Sequence, residues 1–202
     1  MNDPVISKLA LFFQKLPGIG PRQAKRFVYA LFEQDERFIK DFASTILKLV
    51  DEVSRCKRCF RIFSGKAKYC AICENPSRDE SKLLILEKDA DLENMEKNGI
   101  FNGSYFILGG LLSPLKPERK ERLHLGDLKK RIEDTNAIKE VILALSATTE
   151  GDMTRHFIET MLEGLTKKRG LKITNLGRGL STGTELEYSD RDTLKNAFEN
   201  RK

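Results

Sequence analysis

Long apolar runs, histidine and cysteine are all scarce in this chain of 202 residues. No apolar stretch approaches the ~18 residues that a membrane-spanning helix needs, and Met1-Asn2-Asp3-Pro4 leads into an amphipathic segment rather than an export signal. A soluble cytoplasmic protein is the expectation. The two histidines, His124 and His156, have no cysteine or carboxylate at a spacing that suggests a catalytic set, so surface or half-buried positions are expected for both. No G-x4-G-K-[ST] sequence occurs, and Gly177 to Gly183 holds no phosphate-binding lysine, which excludes a nucleotide hydrolase of that type. The four cysteines all fall between residues 56 and 73, a grouping that points to one local purpose.

Acid is also missing where base is plentiful. Between Asp3 and Glu33 there is no Asp or Glu, yet Lys8, Lys15, Arg22, Lys25 and Arg26 lie there. Residues 1 to 73 hold 14 Lys/Arg against 7 Asp/Glu, a net of +7 in a chain whose total is +6, so the remainder carries −1. The positive field therefore belongs to the N-terminal third. Either a polyanion is its partner or the face is simply solvated.

With 40% hydrophobic residues the chain can form one large domain or two or three small ones. Asp3-Pro4 opens a helix with Val5, Ile6, Leu9, Phe12 and Phe13 on one face, and Gly18 and Gly20 end it. Pro21 opens a second with Ala24, Phe27, Val28 and Leu31. A third, from about Asp35 to Val53, is expected to bury Phe38, Ile39, Phe42, Ile46, Leu49, Val50 and Val53. After the cysteines, Glu74 to Glu80 reads as a polar linker. Strands at Lys82 to Leu86, Tyr105 to Leu108, Val141 to Leu145 and Leu171 to Leu176 then alternate with helices at Asp89 to Lys97, Gly126 to Ile132 and Glu150 to Lys168. That alternation predicts an α/β fold with a parallel sheet covered on both faces. The long helix has an apparent core stripe of Met153, Phe157, Met161, Leu162 and Leu165, and Lys167-Lys168-Arg169-Gly170 suits its C-terminus.

Two motifs carry chemistry. Leu16-Pro17-Gly18-Ile19-Gly20 followed by Pro21-Arg22-Gln23-Ala24-Lys25-Arg26 resembles a helix-hairpin-helix: the glycines allow a tight turn and the second helix presents its N-terminus, both of which attract phosphate. Gly18, Gly20, Arg22, Lys25 and Arg26 are the candidate DNA contacts, with an ordinary packing turn as the competing reading. Cys56-x-x-Cys59 and Cys70-x-x-Cys73 suit tetrahedral zinc, one ion per chain, closed to solvent and hence structural. Two disulfides or a redox dithiol would use the same residues. Lys57, Arg58, Arg61, Lys66 and Lys68 would add phosphate contacts or merely solvate that loop.

Leu83-Leu84-Ile85-Leu86-Glu87 and the later Glu150-Gly151-Asp152 resemble a Toprim domain, in which a glutamate after the first strand and an Asp-x-Asp pair after a later one hold magnesium. Glu87 matches the glutamate, but Ser146 and Thr148 stand at the aspartate positions, which implies a metal site without its charge. Glu87 and Glu150 are then either remnants adapted to partner binding or plain surface charge. Together with Leu108-Gly109-Gly110-Leu111-Leu112-Ser113-Pro114-Leu115, Lys139 to Ala144 and Gly179 to Tyr188, the whole chain resembles the RecR family of bacterial recombination mediators. Where that family usually has a glycine-rich loop the chain reads Lys116-Pro117-Glu118-Arg119, and a paired glycine is Gly183-Thr184. The resemblance implies a helix-hairpin-helix DNA-binding and assembly domain at 1–54, a zinc module at 55–76, a Toprim domain at 80–176 and a C-terminal segment at 177–202. It further implies a non-catalytic, nucleoid-associated homotetrameric ring that acts with RecO and RecF to load RecA onto gapped DNA, binding double- or single-stranded stretches. An active Toprim nuclease or topoisomerase-like enzyme and a general zinc-dependent nucleic-acid adaptor are the competing functions.

Overall fold

A computed structural model describes residues 3–115, 117–183 and 185–201, and the chain divides into the units Met1–Val53 and Ser54–Lys202. Lys116 and Thr184, in the two segments that depart from the family pattern, lie outside the described residues.

The first unit is three helices. Asp3 accepts from the amides of Val5 and Ile6 and starts α1 (Pro4–Gln14); Gly20 precedes α2 (Pro21–Phe32), with proline in its first turn; Asp35 accepts from the Phe38 amide at 2.8 Å and starts α3 (Glu36–Glu52). Helices α1 and α2 pack through the small side chains Ala10 and Ala24 and through Val28, with Phe13 and Phe27 edge to face at 5.6 Å. The helical expectations hold, but the expected burial of α3 does not. Among its described residues none is buried, and Phe38, Ile39, Phe42, Ile46, Leu49 and Val50 are exposed. Periodicity marks an apolar face and says nothing of whether the same chain supplies its cover.

At the boundary between the units the chain enters a hairpin, β1 (Val53–Arg55) and β2 (Ile62–Ser64), followed by a one-turn helix α4 (Ala71–Glu74). A four-stranded sheet follows: β3 (Asp79–Leu86), β4 (Gly103–Ile107), β5 (Glu140–Ala144) and β6 (Lys172–Asn175), in the order β4-β3-β5-β6 and parallel throughout. The expected linker is shorter than the sequence suggests. Glu74 belongs to α4, while Asp79 and Glu80 already belong to β3, where the Asp79 amide donates to Asn102 at 2.9 Å.

Alternation along the strands sorts the core. Leu83, Ile85, Phe106, Val141 and Leu143 face α6 (Leu125–Asp134) and α7 (Thr149–Arg169), whereas Leu84, Leu86, Tyr105 and Ile107 face α5 (Asp89–Asn98) through Leu92. Both faces are covered, as the alternating pattern implies. The buried line of α7 differs from the expected stripe: Gly151, Thr154, Ile158 and Leu162 are buried, Phe157, Met161 and Leu165 are only partly so, and Met153 is exposed. Gly151 and Thr154 win because the helix enters the sheet closely. A Cβ on Gly151 would lie 1.9 Å from the Ser146 carbonyl oxygen, and Thr154 Oγ1 accepts from the buried Leu112 amide at 2.9 Å.

At its far end α7 stops on Gly170, whose φ of +65° suits glycine. Arg169 turns from that last turn to donate to the Ile132 and Thr135 carbonyls at the end of α6. The segment after β6, for which no element is expected, forms α8 (Arg191–Glu199), started by Asp190 accepting from the Thr193 amide at 2.9 Å.

Candidate metal centre and nucleic-acid interface

The two Cys-x-x-Cys turns fold into facing knuckles. In the first, the Phe60 amide donates to the Cys56 carbonyl at 3.0 Å; in the second, the Cys73 amide donates to Cys70 at 2.9 Å. The Cys70 amide also points at the Cys56 sulfur, 3.4 Å away. Cys56, Cys59 and Cys70 are buried and Cys73 half-buried, and the four Sγ atoms lie within 4.8 Å of one another. Cys59 and Cys70 sulfurs are 3.7 Å apart, far beyond the ~2.05 Å of a disulfide, and all four cysteines are free. A tetrahedron with metal–sulfur bonds of ~2.3 Å has edges of about 3.8 Å, so the cluster can hold such an ion.

Crowding four thiols together splits their acidities. Hydrogen bonds from Cys59 and the other two sulfurs pull Cys56 down, whereas Cys59 and Cys73 are pushed up, each chiefly by its contact with Cys56. Against an opposing contact from Cys56, hydrogen bonds from Cys59 and Cys73 carry Cys70 down to about 6.

The knuckles are joined to the sheet. The Ile107 amide, on edge strand β4, donates to the Cys59 carbonyl at 2.8 Å. Arg131 of α6 donates to the Arg58 carbonyl at 2.8 Å and to the Tyr105 carbonyl at 2.6 Å, and Arg58 reaches the Cys73 carbonyl at 2.8 Å. Burial lowers the Arg131 pKa, with the nearby sulfurs opposing that shift. Phe60, the residue after the second cysteine, has φ +64°, a conformation costly for a side chain. Its ring stacks 4.0 Å from His124 and 5.2 Å from Phe106, which offsets the strain. The half-buried position expected of His124 is thereby explained. Neither Phe60 nor Arg131 is singled out by the sequence; an aromatic directly after a metal-binding knuckle is the one available signal.

In the first unit, Gly18 takes φ +79° and turns the chain sharply between α1 and α2. Gly20 has no side chain to cap α2, so the first N–H groups of that helix face outward without a side-chain acceptor. Arg22, Lys25 and Arg26 are exposed on α2 and make no ion pair among the described residues. The structure thus places the five expected DNA-contact residues in the turn before α2 and along the first half of that helix.

The Toprim-like residues sit at the carboxyl ends of β3 and β5, the point where successive strands fall on opposite sides of β3 and where sheets of this kind bind ligands. Ser146 Oγ donates to Glu87 at 2.6 Å. Thr148 instead caps α7, accepting from the Gly151 amide at 3.1 Å. Glu150 lies in the first turn of α7, and Asp152 is held by Arg178 and by Arg155, which keep its carboxyl below the usual range. Among the described residues, the four cysteines are the one cluster of three or more metal-binding side chains. Glu87, Glu150 and Asp152 are not part of that cluster.

Comparison with known proteins places these features together. The RecR helix-hairpin-helix domain matches residues 6–50, the Toprim domain residues 81–177 and the RecR C-terminal domain residues 179–202. "Recombination protein RecR" of a Cyanothece species is 36% identical over 98% of this chain and 95% of its own length. The protein of that name from Dehalococcoides mccartyi is 35% identical over 97% and 93%, and that from Pediococcus pentosaceus 36% over 97% and 96%. With identity at this level across nearly the whole length of each partner, the chain belongs to the RecR family of recombination proteins.

Proposed function

We propose that the chain is a non-catalytic, DNA-binding recombination mediator that assembles into a ring-like tetramer and acts with RecO and RecF to load RecA onto gapped DNA. The observation that carries the reading is the turn at Gly18 and Gly20, which presents an uncapped helix N-terminus beside Arg22, Lys25 and Arg26, none of them in an ion pair among the described residues. Such a surface grips phosphate and reads no base, which suits a protein that must act at gaps of any sequence. Four clustered thiols, three of them buried and all with sulfurs within 4.8 Å of one another, support zinc, which would be held by Cys56, Cys59, Cys70 and Cys73 and would supply folding energy and no reactive position. Glu87 and Glu150, with Ser146 and Thr148 in place of aspartates, suit partner contact rather than magnesium chemistry. We assign 1–54 to DNA binding and assembly, 55–76 to the metal module, 80–176 to the Toprim domain and 177–202 to the C-terminal segment. The exposed apolar groove of about 800 Å³ over α1, α2 and α3 supports assembly through a second copy.

Charge reversal at Arg22 and Arg26 tests the reading. Binding to gapped DNA should weaken, with the log–log salt slope reduced by roughly 1.8 for two lost duplex phosphates, while metal content is unchanged. Unaltered affinity and slope would make the turn a packing element. Pull-down of partners, read by mass spectrometry, tests RecO and RecF, and their absence would favour a general adaptor. Magnesium-dependent cleavage that disappears in Glu87→Gln would revive the enzyme.

A further inference from the structure

Resting on the proposed reading that the chain binds DNA, we propose that the pocket between the first cysteine knuckle and α6 takes one unstacked nucleotide of a single strand, its phosphate held by Lys57 and Lys130 and its base against the Arg58–Tyr69 stack. The pocket has a volume of about 310 Å³ and lies within the unit Ser54–Lys202. Its cations are Lys57 and Arg58 from the knuckle and Lys130 and Arg131 from α6. The Arg58 guanidinium lies 4.7 Å from the Tyr69 ring centre, and Lys68 Nζ approaches the same ring at 5.3 Å. Flat guanidinium and aromatic surfaces set among lysines are the elements by which unpaired bases are stacked and their backbone neutralised.

A purely structural role accounts for part of this set and stops there. Arg58 and Arg131 are spent on the carbonyls of Cys73, Arg58 and Tyr105, and they offset the negative charge of a four-thiolate centre. Lys57 and Lys130 are exposed and enter no ion pair among the described residues, so neither packing nor charge pairing explains them. Two acids also line the pocket, Asp127 and Asp134. Asp127 faces His124 at 3.7 Å, and the lining still carries four cations against two carboxylates. The same carbonyl bonds that occupy the arginines fix Arg58 over Tyr69, so the stacking surface is set before a ligand arrives. A paired base in a duplex has no free face, which is why a single strand is the occupant.

The test uses the full metal-loaded chain and two DNA probes, an oligothymidine and a blunt duplex. Lys57→Glu with Lys130→Glu is compared with a charge-matched control, Lys129→Glu with Lys167→Glu, whose lysines pair with Glu133 and Glu163 outside the pocket. The pocket variant should bind oligothymidine about tenfold more weakly than the control, with its salt slope lower by roughly 0.7 for the one lost single-strand phosphate, and duplex binding should match the control. Light-induced crosslinking of iodouracil-substituted oligothymidine should map to Tyr69 in the wild-type chain. Equal oligothymidine affinity for pocket and control variants, or loss confined to the duplex, overturns the proposal. Arg22→Glu with Arg26→Glu, run in parallel, separates the two sites: a result in which only the hairpin variant loses binding removes the pocket alone, and the converse removes the hairpin reading alone.

Discussion

In the unit Ser54–Lys202 every apolar strand residue from Leu83 to Leu86 is buried, shielded by α5 on one face of the sheet and by α6 and α7 on the other. In the unit Met1–Val53, by contrast, Phe32 is 85% exposed and Leu47 68%, and among the described residues burial is confined to Ala10, Ala24 and Val28. The two units are built from similarly periodic sequence. What separates them is closure: the sheet has an element for each face, and among the described residues the apolar face of the three helices stays exposed. An open apolar face is the kind of surface that marks an interaction site, and it agrees with the assembly role proposed for the N-terminal residues.

Four measurements sharpen or break this contrast, the largest effect first. Chelation of the metal, or Cys59→Ser, should unfold the knuckles and destabilise the second unit by several kcal/mol, because the binding energy of such an ion is folding energy. The thermal midpoint should fall, and hydrogen exchange at the Ile107 amide should accelerate, since its acceptor is the Cys59 carbonyl. An unchanged midpoint with the metal gone would show that the sheet closes without its knuckles. Next, Gly151→Ala should cost about 1–3 kcal/mol or more in denaturant unfolding, because the added methyl meets the Ser146 carbonyl at 1.9 Å and backbone must move.

In the first unit the expected loss is of assembly rather than of fold. Phe42→Glu with Ile46→Glu places charge on side chains that are already 39% and 47% exposed. Light scattering should report a smaller particle while helical circular dichroism is retained. A particle of unaltered mass would mean that this face is not the assembly surface. The smallest effect belongs to Gly164→Ala. Gly164 is an exposed residue within α7 with nothing within 4 Å of a new Cβ, so the substitution should stabilise by roughly 0.5–1 kcal/mol. Destabilisation instead would show that α7 is packed more tightly along its outer side than the second unit's core requires.

Much of this molecule is legible in its residues. Asp3-Pro4, Gly20-Pro21 and Asp35 announce three helix starts, and each is one, because caps and fixed prolines act within a single turn. The cysteine spacing announces a metal cluster for the same local reason. The α7 stripe misleads because Gly151 and Thr154 look like poor core residues until the sheet approaches them. Phe60 and Arg131 escape notice because one gains its place from a left-handed turn and the other from carbonyls far along the chain, those of Arg58 and Tyr105. The Asp190 cap and the apolar spacing of Leu194, Ala197 and Phe198 were available signals for α8.

Sequence by itself determined the three N-terminal helices, the alternation of strands and helices and the cysteine cluster, since each depends on residues close in the chain, while the hydroxyls in place of carboxylates were read from the Toprim resemblance. Only the tertiary structure decided the rest. It joined Ser146 to Glu87 across two strands, laid the knuckles on the β4 edge, set Arg58 over Tyr69 beside α6, and left the apolar faces of α1 to α3 uncovered. These outcomes depend on which surfaces meet, and that is fixed by packing between residues distant in the chain.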